Sequence, residues 1–378
     1  MASTPLACRQ AHAAIGAATG RAALLLALAL TGAQATAQPA GAAQPAPSAS
    51  SPAAARRAPP PVYPMVAPPP YMAPEVPQGS GPFPALMRMQ QGLATHTLYH
   101  PQDLARLGAE KLPLVVFGNG ACINQGNRFR YLLTEIASHG FLAMAIGPIG
   151  PQEVEYASSG SAVRGPPAPG SPTARLAAEG KLPPPNPAGG PTPADTTAAQ
   201  MVDAIDWAVA ENARAGSALA GRIDLQQVAV MGQSCGGLQA IDAAHDPRVK
   251  TLGVLNSGTF SHPTRAWEIA AARATKDDLK TLHAPTLYIT GEPSEVAFDN
   301  AEDDFARIDH LPLFRAWREG TGHSGTYREP NAGAYAPVIV AWLRWQLKGD
   351  EASARMFKGP RCGLCTEPLW HVKKKRIE

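Results

Sequence analysis

The chain has 378 residues, with 33 Lys and Arg against 30 Asp and Glu, a formal charge of +3 and only 17% charged residues. That length suits one large α/β domain or two smaller ones, and the near-balanced charge argues against a nucleic-acid partner. The basic run Lys373-Lys374-Lys375-Arg376 is expected to be a solvated end.

Residues 1–37 read as an export signal. Arg9 and Arg21 supply positive charge, and Ala22 to Leu30 is a nine-residue apolar run, too short to span a bilayer. The small-residue sites Ala33-Gln34-Ala35 and Ala35-Thr36-Ala37 follow it. A secreted or periplasmic protein with no stable membrane insertion is expected. Residues 38–82 are dominated by Pro, Ala and Ser and include Pro59-Pro60-Pro61 and Pro68-Pro69-Pro70. An extended, semi-rigid linker is expected there.

The folded part, residues 83–350, is expected to begin near Phe83. Thr95 to Tyr99 reads as a strand. Leu112 to Phe117 is a nearly continuous apolar run ending at Gly118, the pattern of a parallel strand buried on both faces. Phe129 to His139 has helical spacing and stops at Gly140, and Phe141 to Ile146 is the next buried strand. An irregular insertion, 147–193, carries Pro166-Pro167 and Pro183-Pro184-Pro185 and is longer than loops usually are inside a compact domain. Ala194 to Ala213 reads as a helix. Val228 to Met231, Thr251 to Leu255, Thr286 to Thr290 and Leu313 to Trp317 read as further strands, and Ala334 to Leu347 as an amphipathic closing helix. The strand–helix alternation predicts a mostly parallel sheet with helices on both faces. Residues 351–378 are expected to be a tail.

The densest signal is Gly232-Gln233-Ser234-Cys235-Gly236-Gly237, between the Val228–Met231 strand and an alanine-rich segment beginning at Leu238. Strand, Gly-x-Ser-x-Gly, helix is the context of a nucleophile elbow, which exposes the serine hydroxyl above the sheet edge. Serine is a weak nucleophile and needs a base. Of the ten histidines only His323, in Gly320-Thr321-Gly322-His323-Ser324-Gly325, follows a strand end in a glycine-lined loop. An acid must orient that imidazole. Three carboxylates in the loop after the Thr286–Thr290 strand compete: Glu292 beside the strand end, Asp299 where it would cap a helix starting near Asn300, and Glu295 between them, the preferred choice. The order Ser234, Glu295, His323 is serine–acid–histidine. An oxyanion needs backbone donors already aimed at it. The amides of Cys235 and of Ala121, in Gly118-Asn119-Gly120-Ala121-Cys122, are the candidates.

Without Cys8 in the leader, four cysteines remain, an even number for an exported chain. Cys362-Gly363-Leu364-Cys365 is expected to close on itself. Cys122 and Cys235 would flank the same oxyanion hole, either joined and rigidifying both donors or as two buried thiols.

From Thr95 to Leu347 the chain resembles the dienelactone-hydrolase-like branch of the α/β-hydrolases and the secreted cutinase-like and PET-hydrolase-like polyester hydrolases. Val115 to Ala121 matches their strand and oxyanion loop, Gly232 to Gly237 their elbow, and Gly322-His323 their histidine loop. The acid falls four residues after Gly291, at Glu295, where the group normally has aspartate. Dienelactone hydrolases carry cysteine where Ser234 stands, and the polyester enzymes usually place an aromatic residue where Ala121 stands. The resemblance implies an α/β-hydrolase fold and a secreted serine esterase acting on small-molecule or polymeric esters through an acyl-enzyme, without metal or organic cofactor. The alternatives are a non-catalytic binding protein of the same fold, or an acyltransferase or peptidase using the same machinery.

Overall fold

A computed structural model describes residues 78–90, 92–150, 196–260 and 273–378. The expected leader, nearly all of the linker and almost the whole Pro-rich insertion lie outside the described residues. Nine strands form one sheet in the order β1-β2-β4-β3-β5-β6-β7-β8-β9. They are β1 (Ala85–Gln90), β2 (Leu93–Pro101), β3 (Leu112–Gly118), β4 (Leu142–Ile146), β5 (Ile223–Gln233), β6 (Val249–Leu255), β7 (Thr286–Thr290), β8 (Leu313–Arg318) and β9 (Trp370–Lys375). The six central strands, β4-β3-β5-β6-β7-β8, run parallel. Antiparallel partners close both edges: β2 and β1 on one side, β9 on the other. The described helices are α1 (Arg130–Ser138), α2 (Ala198–Ala213), α3 (Cys235–Ala243), α4 (Phe298–Arg307), α5 (Tyr335–Lys348) and the single turn α6 (Glu351–Ala354).

The period-two geometry of strands sorts the apolar residues into two cores. Leu114 and Val116 of β3, with Val228 and Val230 of β5, pack with Met201 and Ile205 of α2 and Leu238 and Ile241 of α3. Val115 and Phe117, with Ala229 and Met231, pack with Leu132 and Ile136 of α1 and Ile339 and Leu343 of α5. Helices therefore cover both faces, as an α/β sheet buried on both sides requires.

Three differences from the sequence reading have physical causes. Strand β5 extends back to Ile223, because its polar first half pairs with the start of β3 and is only partly buried. Strand β1 is an outer strand with Arg88 and Gln90 on it, so its apolar signal is short. Residues 351–378 are not a tail: after α6 the chain returns as β9, antiparallel to β8. Its lysines are tied down, although Lys373 remains exposed. Lys373 pairs with Glu302 and Lys375 with Asp309, while Lys374 donates to the carbonyls of Phe357 and Gly359. Lysines on an edge strand also discourage pairing with a second sheet.

Strand β2 carries two buried histidines. His100 donates from Nδ1 to the carbonyl of Pro101 at 2.7 Å, and burial pushes its imidazole from the ordinary 6.5 down to about 4. Burial also lowers His96. Above pH 6.5 His100 is neutral in both the folded and unfolded chain. As pH falls through 6.5 the unfolded chain takes up a proton that the folded chain refuses until about pH 4. Stability is therefore lost across that window, about 3 kcal/mol of it through His100. Denaturant unfolding at neutral and mildly acidic pH should show a larger loss for the wild type than for His100→Gln. Equal losses would refute this account.

Candidate active site

Five loops meet at the C-terminal edge of the parallel strands, the edge at which open α/β sheets gather their site residues. Strand β5 ends at Gln233, and Ser234 then takes φ 53° and ψ −120° before α3 begins at Cys235. A non-glycine residue with that backbone is strained, and the strain is held by close packing. A Cβ on Gly236 would lie 2.0 Å from the carbonyl oxygen of Gly118, and one on Gly232 would lie 2.1 Å from the carbonyl oxygen of Gly236. The glycines of the motif thus let the end of β3, the turn and the first turn of α3 touch backbone to backbone. Ser257, just past β6, donates to the Ser234 carbonyl at 2.7 Å and braces the turn from the other side.

His323 reaches this turn from the loop after β8. Its Nε2 is 2.9 Å from Ser234 Oγ, and its Nδ1 is 2.8 Å from Glu295 Oε2. The imidazole is about one-third exposed, whereas the Glu295 side chain is fully buried. Glu295 Oε2 also accepts from the amide of Ala297 at 3.0 Å, which fixes the carboxylate before any substrate arrives. The structure thus brings Ser234, His323 and Glu295 into one hydrogen-bonded chain.

The two other candidate acids stand elsewhere. Glu292 accepts from the amide of Gly320 at 2.9 Å and so ties its own loop to the start of the histidine loop. Asp299 does not cap a helix: α4 begins at Phe298 with Ala297 in the capping position, and Asp299 lies inside the first turn.

The loop after β3 forms a short 3₁₀ turn, Gly120–Cys122, in which Ala121 and Cys122 take φ of 56° and 49°. Among the described residues no acceptor takes up the amide of Ala121 or that of Cys235, whereas the amide of Cys122 is spent on Asn119. Asn119 is fully buried and donates to the carbonyls of Ile123 and Ile146 at 3.0 and 2.7 Å, pinning the base of the loop. Cys122 and Cys235 are disulfide-bonded, which joins the residue after Ala121 to the first residue of α3. Cys362 and Cys365 form the second disulfide.

Residues that the sequence reading passed over hold the histidine loop. Asn256, at the end of β6, donates to the carbonyl of Gly322 at 3.3 Å and accepts from the Tyr327 hydroxyl at 2.9 Å. Gln233 donates to the carbonyl of His323 at 3.0 Å. Polar residues at the C-terminal tip of an apolar strand, Asn256 after β6 and Gln233 at the end of β5, are the signal that marks them.

A cavity of about 850 Å³ opens at the other end of the sheet, lined by Pro113, Asp224, His139 and Lys348 among others, and none of the residues above borders it. Among the described residues no group of three or more His, Cys, Asp or Glu could hold a metal ion, and no helix is long and apolar enough to cross a membrane. No protein-family model and no curated protein sequence matches the chain.

Proposed function

We propose that this chain is a serine hydrolase of the α/β-hydrolase fold that cleaves carboxylic esters through an acyl-enzyme. The observation that carries the reading is the unbroken chain of contacts from Ser234 Oγ through His323 to the buried carboxylate of Glu295, at 2.9 and 2.8 Å. In this reading His323 Nε2 takes the Ser234 proton as the oxygen attacks the ester carbonyl. Glu295 holds the proton on Nδ1, keeps Nε2 free to accept, and stabilises the imidazolium that forms. The developing oxyanion is met by the amides of Ala121 and Cys235, both left without an internal acceptor among the described residues. The imidazolium then returns its proton to the leaving alkoxide. Water, activated by the same histidine, releases the acid.

The substrate is a small-molecule or polymeric ester. The two disulfides support a working place in an oxidising compartment, outside the cytosol.

A fluorophosphonate probe tests the reading directly. The native protein should label at Ser234 and hydrolyse short nitrophenyl esters faster than it cleaves peptides. Ser234→Ala should do neither. A native protein that resists the probe would favour a non-catalytic binding module.

A further inference from the structure

Gln233 is the last residue of β5, immediately before the serine, and it is only 6% exposed. Its Nε2 donates to the backbone carbonyl of His323 at 3.0 Å. A carbonyl accepts only from a donor, so the nitrogen end of the amide must face His323 and the oxygen end must point the other way. That oxygen lies against Gly120: a Cβ built there would sit 2.0 Å from Gln233 Oε1. One buried side chain therefore touches the histidine loop at one end and, at the other, the residue preceding Ala121.

We infer that Gln233 is a positioning residue that sets the spacing between the general base and the oxyanion donors, an inference that rests on the function proposed above. The triad contacts alone do not provide this spacing. Glu295 orients the imidazole ring, and Asn256 holds the loop one residue earlier, at Gly322. Gln233 holds the backbone of His323 itself and extends from the strand that delivers the nucleophile. The serine, the base and the oxyanion loop are thus referenced to a single rigid element. The arrangement also gives Gly120 a specific reason to be glycine. Its φ is not in the left-handed range, so its backbone would accept alanine. Only the Gln233 amide occupies the space.

A buried amide with a purely structural role would change stability and leave turnover alone. A positioning amide should act on kcat, because a displacement of ~1 Å in catalytic geometry is worth about 10²-fold. Four variants separate these: Gln233→Met, which keeps length and burial but removes donor and acceptor; Gly120→Ala, whose methyl displaces the amide; Gln233→Ala; and Gln233→Ala combined with Gly120→Ala. The measurements are kcat and KM on a nitrophenyl ester, with Tm as the control for folding. Gln233→Met should lower kcat by about 10- to 100-fold with KM little changed. Gly120→Ala should lower kcat in the same way. The double variant should be no worse than Gln233→Ala alone, because truncating the glutamine vacates the space that the methyl needs. Wild-type kcat in Gln233→Met overturns the inference, as do losses that multiply in the double variant. If Gln233→Met fails to fold, wild-type kcat in Gly120→Ala overturns it equally. In all these cases wild-type labelling and turnover leave the proposed function standing. A wild type that neither labels nor turns over overturns both.

Discussion

Alanine in place of either Ser234 or His323 is expected to lower ester turnover by about 10⁶-fold while the protein stays folded. The magnitude follows from the geometry of the pair. With His323 Nε2 2.9 Å from Ser234 Oγ, the imidazole can take the hydroxyl proton as the carbonyl is attacked. Without the base, a neutral alcohol must attack; without the hydroxyl, the base has only water to activate. In the proposed mechanism the two act as one device, so Ser234→Ala combined with His323→Ala should be hardly worse than either alone. A residual rate of about 10³-fold over water should survive all three changes, since the amides of Ala121 and Cys235 are backbone and remain in place. Folding should be spared as well. Ser234→Ala leaves the strained turn with a side chain no larger than before, and the His323 ring is partly exposed rather than part of either core. Steady-state kinetics on one nitrophenyl ester, with circular dichroism for fold, decides the matter. Losses that multiply in the double variant would mean that serine and histidine do not work as a pair.

The parts of this molecule that were legible in the sequence are those where one local requirement dominates. A parallel strand buried on both faces must be apolar nearly throughout, so β3 and β4 stand out as Leu112 to Phe117 and Phe141 to Ile146. A strand that turns directly into a helix over a serine must have glycines where backbone meets backbone, so Gly232 and Gly236 marked the elbow. The edges of the sheet were hidden for the converse reason. Strand β9 carries three consecutive lysines, and only its pairing with β8 and the contacts of Lys373 and Lys375 with Glu302 and Asp309 make it a strand. The site divides in the same way. Ser234 and His323 are marked by their local settings. Glu292, Glu295 and Asp299 are three carboxylates in one short stretch of sequence, and composition cannot rank them. Burial and a hydrogen bond between loops 28 residues apart do so. The disulfide of Cys122 and Cys235 is of this kind too, because its ends lie 113 residues apart and meet only when β3 and β5 pair. Gln233 lies inside the most visible motif of the chain, yet its two contacts belong to other loops.

Glu295→Gln should lower kcat by about 10³-fold or more without changing the volume of the side chain. The carboxylate is fully buried, and its Oε2 accepts from both His323 Nδ1 and the Ala297 amide. A glutamine can sit there in two ways, and each fails for a different reason. With its oxygen at the Oε2 position both hydrogen bonds survive, but the –NH2 group then occupies the buried Oε1 position, which has no hydrogen-bond partner. The negative charge that stabilises the imidazolium is also gone. With its nitrogen there, the amide donates to Nδ1 and forces the proton onto Nε2, the tautomer that cannot accept from Ser234, and it also faces the N–H of Ala297 donor to donor. Both arrangements raise the barrier to proton transfer from the serine, so kcat should fall while KM stays near the wild-type value. Glu292→Gln keeps an oxygen for the amide of Gly320 and should leave kcat close to wild type. Asp299→Asn, in the first turn of α4 and with no hydrogen bond or ion pair to His323, should do the same. The three variants assayed side by side give a ranking that composition alone cannot. Should Asp299→Asn produce the large loss and Glu295→Gln leave turnover intact, the acid of this site is Asp299, and the short contact at His323 Nδ1 has no part in the chemistry.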